Sequence, residues 1–141
     1  MTVRAYIALG SNLGDRHEAL DFARGAIAAL PGTRVVAASA VEETVPFGVT
    51  DQPTFLNQML AIDTALAPDA LLDGLQAIER AHGRERDAEP RWGPRVLDCD
   101  IVLFGDAAVA TPRLTIPHPG LRDRDFWQRE LAELGVVPSA F

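Results

Sequence analysis

Hydrophobic and polar positions alternate along this chain in two distinct periods. Val3 to Leu9 is a short apolar run interrupted by Arg4, and it ends at Gly10-Ser11-Asn12-Leu13-Gly14-Asp15. This predicts a strand entering a turn and then a helix, which Asn12 or Asp15 can cap and whose apolar side is Leu20, Ala23, Ile27 and Leu30. Pro31-Gly32 closes that helix. Arg34 to Glu43 alternates imperfectly and reads as a second strand. Thr44 to Pro53 carries two prolines and a glycine, so it reads as a loop. Leu56 to Thr64 is a third strand, with Leu56, Gln58, Leu60 and Ile62 alternating against Asn57, Met59, Ala61 and Asp63. Its connection to the second strand is too short for a helical crossover, which favours antiparallel pairing.

Pro68 opens a second helix at a favoured first-turn position; Leu71, Leu72, Leu75 and Ile78 form its stripe and Gly83 ends it. Val96 to Phe104 is a fourth strand bounded by Gly-Pro and Gly105. Ala107 to Ala110 can return as an edge hairpin before Thr111-Pro112. Arg113 to Gly120 is extended, because Pro117 and Pro119 exclude helix for their predecessors. A last helix runs from Arg122 or Asp123 through Phe126, Trp127, Leu131 and Leu134 to Gly135. The order βαββαβ with a direct central β–β connection predicts one α+β domain over residues 1–141. Its architecture is a ferredoxin-like sandwich: a mostly antiparallel sheet, helices packed on one face and the active site on the other.

Two acids interrupt the fourth strand. Side chains alternate across a strand, so Leu97, Cys99, Ile101 and Leu103 share one face while Asp98 and Asp100 share the other, their β-carbons roughly 7 Å apart. Such a pair reads equally as a solvated outer face or as a site neutralised by a divalent cation or cationic ligand. The neighbourhood shifts the balance. Arg84, Arg86, Arg91 and Arg95 crowd the segment before the acids, with Trp92 among them, and guanidinium groups suit phosphate oxygens. Metal-holding acids beside phosphate-holding arginines suggest a metal–nucleotide site.

With 141 residues, 48% of them hydrophobic, the chain supports one domain with a real core. No window is apolar enough to span a membrane and no signal peptide is apparent, which gives a cytoplasmic expectation. A net charge of −7 argues against nucleic acid as a partner. All thirteen basic residues are arginine, which excludes the lysine-dependent phosphate loop and Schiff-base chemistry. The single cysteine, Cys99, reads as a small buried hydrophobe. Gly10 and Gly14 lack the spacing of a dinucleotide loop and read as turn residues. Gln76 and Glu79 are ordinarily a solvated helix face, and His118, between two prolines, a loop residue.

Several stretches together resemble one family. They are Ala8-Leu9-Gly10-Ser11-Asn12-Leu13-Gly14-Asp15-Arg16, Thr44 to Gly48, Asp51 to Asn57, Arg91 to Phe104 with its Trp-Gly-Pro-Arg-x-Leu-Asp-x-Asp-Ile pattern, and Leu114-Thr115-Ile116-Pro117-His118-Pro119. In this order they are similar to 6-hydroxymethyl-7,8-dihydropterin pyrophosphokinases. That resemblance implies transfer of the β,γ-diphosphate of ATP to the pterin hydroxymethyl group, giving AMP and a pterin diphosphate for folate synthesis, with two Mg²⁺ ions and a monomeric enzyme.

By the same resemblance Asp98 and Asp100 are magnesium ligands, and with Arg84 and Arg95 they form the catalytic set. Gln76, Glu79, Arg84, Arg86, Trp92, Arg95, Ile101, Arg113, Thr115, His118 and Arg124 would contact the nucleotide, His118 by donating to phosphate. Thr44, Val45, Phe47, Phe55, Asn57, Trp92 and Phe126 would hold the pterin, and the arginine loop would close as a lid. His17 and His82 match no functional position and are expected at the surface. After Phe126 the chain departs from the family, with Trp127-Gln128-Arg129-Glu130 in place of an apolar, proline-containing stretch. A non-catalytic pterin- or nucleotide-binding relative is the alternative reading.

Overall fold

The strand β1 (Val3–Ser11) lies between two antiparallel partners, β4 (Phe55–Thr64) and β5 (Asp98–Phe104), in the computed structural model, which describes residues 1–45, 53–83 and 96–136. The sheet order is β2-β4-β1-β5, where β2 is Thr33–Ala38, and the short β3 (Glu42–Thr44) also pairs with β4. The helix α1 (Arg16–Ala28) joins β1 to β2, and α2 (Pro68–Ala81) joins β4 to β5. This is the expected ferredoxin-like arrangement, built on antiparallel pairs.

Alternation along the strands divides the interior into two cores. Ala5, Ile7 and Leu9 of β1, Leu60 and Ile62 of β4, and Cys99 and Ile101 of β5 meet Leu20, Ala23 and Ile27 of α1 and Leu71, Leu75 and Ile78 of α2. The opposite side chains, Ala8, Met59 and Val102, pack with Leu121, Trp127 and Leu131. Trp127 and Leu131 belong to α3 (Asp125–Glu133), so the third helix covers part of the face opposite α1 and α2. The helix-free face is therefore open only beyond the reach of α3.

Leu103 corrects the expected faces. The register with β1 jumps from Ile7↔Ile101 to Tyr6↔Leu103, which leaves Val102 as an extra residue. A bulge of this kind resets the alternation; Val102 and Leu103 both join the second core, and Phe104 returns to the first. The second predicted strand also divides. Its register against β4 slips between Val35 and Ala37, and at Ser39 the backbone N–H donates to the Met59 carbonyl at 2.9 Å while the hydroxyl accepts the Met59 N–H at 2.9 Å. A side chain thus takes over a ladder bond, separating β2 from β3.

Asp15 caps α1 by accepting the Glu18 N–H at 3.0 Å, whereas Asn12 donates instead to the Pro53 carbonyl at 3.0 Å. The edge hairpin forms between β6 (Val109–Ala110) and β7 (Thr115–Ile116). A 3-10 turn over Pro119–Arg122 delays α3 to Asp125, later than the sequence pattern suggests. Gly135, at φ 89°, ends α3 with Val136 N–H bonded back to the Leu131 carbonyl, the wrapped terminus that a left-handed glycine permits. No helix among the described residues is long and apolar enough to cross a membrane.

β5 is at the edge of the sheet among the described residues, and its Cys99 N–H donates not to a strand but to Glu79 of α2, at 2.8 Å with both residues buried. Replacing Glu79 by Leu removes that acceptor and leaves a buried donor unmatched, which costs about 1–3 kcal/mol. Urea denaturation of the variant beside the wild-type protein measures this; an unchanged midpoint would show that the bond contributes nothing.

Candidate active site

One row of residues crosses four strands. Gly10 on β1 stands opposite Asp98 on β5 and Asn57 on β4, and Asn57 stands opposite Glu42 on β3. Residues directly opposite one another project to the same face, so Asp98 and Asn57 flank the position where Gly10 has no side chain. A β-carbon on Gly10 would come within 3.3 Å of Asn57 Oδ1 and 3.6 Å of Phe55 Cδ1. Gly10 is thus a strand residue kept small by close neighbours, in correction of the turn role expected for it. The next row is Asp100, Ala8 and Met59. Both acids accordingly face away from the core under α1 and α2, as their alternation required, and both are only half-buried.

The residues expected to hold a pterin gather at the far end of the first row. Asn57 is buried and its amide donates to Thr44 Oγ, which aims the remaining amide oxygen toward Gly10. Thr44 pairs directly with the half-buried Phe55, and Val45 is 75% exposed at the end of β3. Phe126 packs on the edge of the second core, its ring 6.3 Å from that of Trp127 at 72°. Sequence reasoning passed over Arg16, which donates to the Thr54 carbonyl at 3.0 Å and its hydroxyl at 3.1 Å and reaches Glu43. The Thr54 hydroxyl and then Arg16 hold the Glu43 carboxyl below its ordinary range. These bonds pin the start of β4 to the first turn of α1. The signal was present, since Arg16 closes the Gly-Ser-Asn-Leu-Gly-Asp-Arg stretch.

The residues expected to hold a nucleotide converge at the open edge of β5. A cleft of about 290 Å³ is lined by Gln76 and Glu79 of α2, Asp98, Asp100 and Ile101 of β5, Arg113 and Thr115 of the β6–β7 hairpin, and His118 just beyond it. Arg113 is paired with Asp73 of α2 across its mouth. Arg124 is set apart from the cleft wall, its guanidinium 4.4 Å above the Trp127 ring. The His118 ring stands perpendicular to the same ring, the centroids 4.9 Å apart. The His118 Nδ1 accepts the Gly120 N–H at 2.9 Å, so the proton of the neutral ring is on Nε2, which lies 3.9 Å from Asp100 Oδ1. Burial lowers the His118 pKa; Asp100 opposes that effect and Arg124 adds to it. A neutral imidazole offering one N–H into the cleft suits hydrogen bonding to an anion.

The acids fit a small hard cation. Among the described residues no three acids, histidines or cysteines stand close enough together to hold a metal ion by themselves, so a cation here would draw on two carboxylates. Asp100 keeps 44% of its side chain exposed, leaving room for outside ligands. Mg²⁺ is commonly held by one or two carboxylates with substrate phosphates and water completing its shell. Phe47, Arg84, Arg86, Trp92 and Arg95 lie outside the described residues. Of the two remaining histidines, His17 is exposed as expected, but His82 is part-buried. It bonds Glu18 at 2.6 Å and packs on the Phe22 ring, tying α2 to α1.

Residues 6–136 match the family described as 7,8-dihydro-6-hydroxymethylpterin-pyrophosphokinase. A Pseudomonas aeruginosa protein named 2-amino-4-hydroxy-6-hydroxymethyldihydropteridine pyrophosphokinase is 49% identical over 95% of this chain and 82% of its own length. Proteins of the same name from Methylorubrum extorquens and Haemophilus influenzae are 50% and 45% identical, over 93% and 98% of this chain and 82% and 87% of theirs. These matches show that the chain belongs to the hydroxymethylpterin pyrophosphokinase family.

Proposed function

We propose that the chain carries out its family's reaction with Asp98 and Asp100 as the ligands of magnesium and with the edge cleft as the nucleotide subsite. The reaction is the transfer of pyrophosphate from ATP to hydroxymethyldihydropterin in folate biosynthesis. The observation that carries the residue assignment is the row Asp98–Gly10–Asn57. It brings a carboxylate that suits a metal and an amide that suits a pterin edge onto one sheet face, with the width of a single strand between them.

In this reading the dihydropterin lies over Gly10, its ring edge toward Asn57 and Thr44 and its faces toward Phe55 and Phe126, with Phe47, Trp92 and Val45 completing the pocket. ATP enters along β5, its base beside Ile101, Gln76 and Glu79 and its phosphates toward His118, Arg113, Thr115 and Arg124. Magnesium, two ions in the full complex, would supply positive charge against the phosphate oxygens. The pterin hydroxyl attacks the β-phosphorus in line and loses its proton to water, the bond from that phosphorus to the oxygen bridging the α-phosphate breaks, and AMP departs with that oxygen. Asp98 and Asp100 fix where that charge is neutralised, and the His118 Nε2–H stabilises a phosphate oxygen without exchanging its proton. Arg84, Arg86 and Arg95 would add charge and exclude water. The chain works in this account as a single-domain monomer in the cytoplasm, without nucleic acid or a membrane. Its excess of acids opposes nucleic acid, and both subsites lie on one chain.

Incubating the protein with ATP, Mg²⁺ and 6-hydroxymethyl-7,8-dihydropterin yields AMP and pterin diphosphate by ion-exchange chromatography. ADP as the nucleotide product overturns the reading, and ligand binding by calorimetry without turnover selects a non-catalytic relative. Removing the metal with EDTA abolishes product formation, and Mg²⁺ restores it; turnover indifferent to EDTA excludes the metal role.

Changing Asp98 or Asp100 to Ala lowers kcat by several orders of magnitude while the melting temperature stays within a few degrees of the wild type, because neither acid supports a core. Near-normal turnover in either variant removes that acid from the catalytic set.

A further inference from the structure

Glu130 is the one charged residue on the inner stripe of α3. It lies one helical turn after Phe126 and three residues after Trp127, and it is only 2% exposed. Neither of its carboxylate oxygens has a hydrogen-bond partner among the described residues. Its neighbours on α3 are engaged elsewhere. Arg129 donates to Glu42 of β3 at 2.8 Å, and Glu133 accepts the Ala40 N–H at 2.6 Å. These two contacts clasp α3 to the β2–β3 segment, with Glu130 enclosed beside them.

The charges around this carboxyl disfavour its ionisation. Glu42 from β3 and Glu133 from α3 repel a negative charge there, and Arg129 offsets them only in part, being already paired with Glu42. Of the other elements on α3, β4 contributes only Asp63, which Arg4 and Arg34 hold, and the 3-10 turn contributes Arg122, which is exposed. His118 and Arg124 lie against Trp127 on the same helix. Burial first, and then the two glutamates, push the Glu130 pKa up to about 8.

We propose that Glu130 is a positioning residue for this reaction, whose buried carboxyl in its neutral form seats α3 on the sheet and thereby sets where Phe126 and Arg124 stand. A neutral carboxyl tolerates enclosure without a partner far better than a carboxylate does. Once ionised, it favours states in which α3 lifts and water reaches the charge. The sign follows from linkage: the seated helix binds a proton that the lifted helix releases, so seating weakens as pH rises from about 4.5 to about 8 and is level outside that range. Because α3 carries Phe126, lifting acts first on pterin affinity. The catalytic consequence rests on the pterin and nucleotide roles proposed above, whereas the helix movement does not.

The test compares wild type, Glu130→Gln and Glu130→Leu from about pH 5 to about pH 9, a range that spans the linkage window. In a Trp92→Phe background the emission of Trp127 reports the seating of α3, and melting temperature is recorded in parallel. The wild type is expected to show red-shifted emission and a falling melting temperature relative to Glu130→Gln as pH rises, with both variants flat by comparison. The KM for the pterin in the wild type should exceed that in Glu130→Gln by roughly tenfold at the alkaline end, the ratio that one pH unit of linkage supplies, with kcat changed far less. Curves for the wild type that coincide with Glu130→Gln in emission and melting overturn the proposal. So does a pH effect on emission and melting with none on KM. If the protein turns over no substrate, the emission and melting curves still decide the role of Glu130 while the assigned reaction fails.

Discussion

Hydrogen bonding of β1 along both of its edges is the constraint on which the site depends. The ladder with β4 fixes Gly10 opposite Asn57, and the ladder with β5 fixes it opposite Asp98. Neither acid nor amide has to be positioned by a loop. A slip of one residue in either ladder would send every side chain of that strand to the other face. Asp98 and Asp100 would then enter the apolar core beneath α1 and α2, where two carboxylates cannot be charged without large cost. Burial of Cys99 and Ile101 against those helices therefore enforces the register that exposes the acids. Core packing and site geometry are two consequences of one alignment.

The edge position of β5 sets the second half of the site. An open edge offers unpaired backbone groups, which native proteins cover or block. Here α2 covers it from one side, with Glu79 receiving the Cys99 N–H, and the β6–β7 hairpin with His118 stands on the other. The cleft is the gap between the two covers. This explains why residues from α2, β5, the hairpin and the segment that follows it, separated by up to dozens of positions in sequence, line one small volume. Beyond the bulge at Val102, β5 gives up its acids and supplies apolar residues to both cores.

Much of this was legible in the sequence, and the failures have physical reasons. Period-two alternation identified the faces of β4 and of the acids on β5, because each residue there has one partner across the ladder. It failed at Leu103, where the extra residue is accommodated only in the pairing with β1 and leaves no local mark. It failed also at Ser39, whose side chain replaces a ladder bond that no propensity foresees. The start of α3 was displaced because Pro119-Gly120 admits either a helix or a tighter turn, and tertiary contacts decide. Gly10 looked like a turn residue since its smallness, not its dihedral freedom, is what the neighbours require. At the site, the acid pair was visible as a pattern, but its functional meaning needed the family resemblance. Glu130 could have been seen: it occupies a core-facing position among Trp127, Leu131 and Leu134.

Trp127 ties the two subsites together. Its ring stands perpendicular to His118, carries the Arg124 guanidinium on its face and lies beside Phe126, while its buried side anchors α3 among Met59, Val102 and Leu121. In the proposed reading His118 and Arg124 serve the nucleotide and Phe126 the pterin, so a shift of this one side chain is felt on both. Close-packed interiors pass such displacements on, because filled space cannot absorb them. The stretch after Phe126, where the sequence was expected to depart from the family pattern, thus falls where the two proposed binding regions share a support. A tryptophan large enough to fill that space makes the end of α3 part of the site, although no residue beyond Phe126 is expected to touch a substrate.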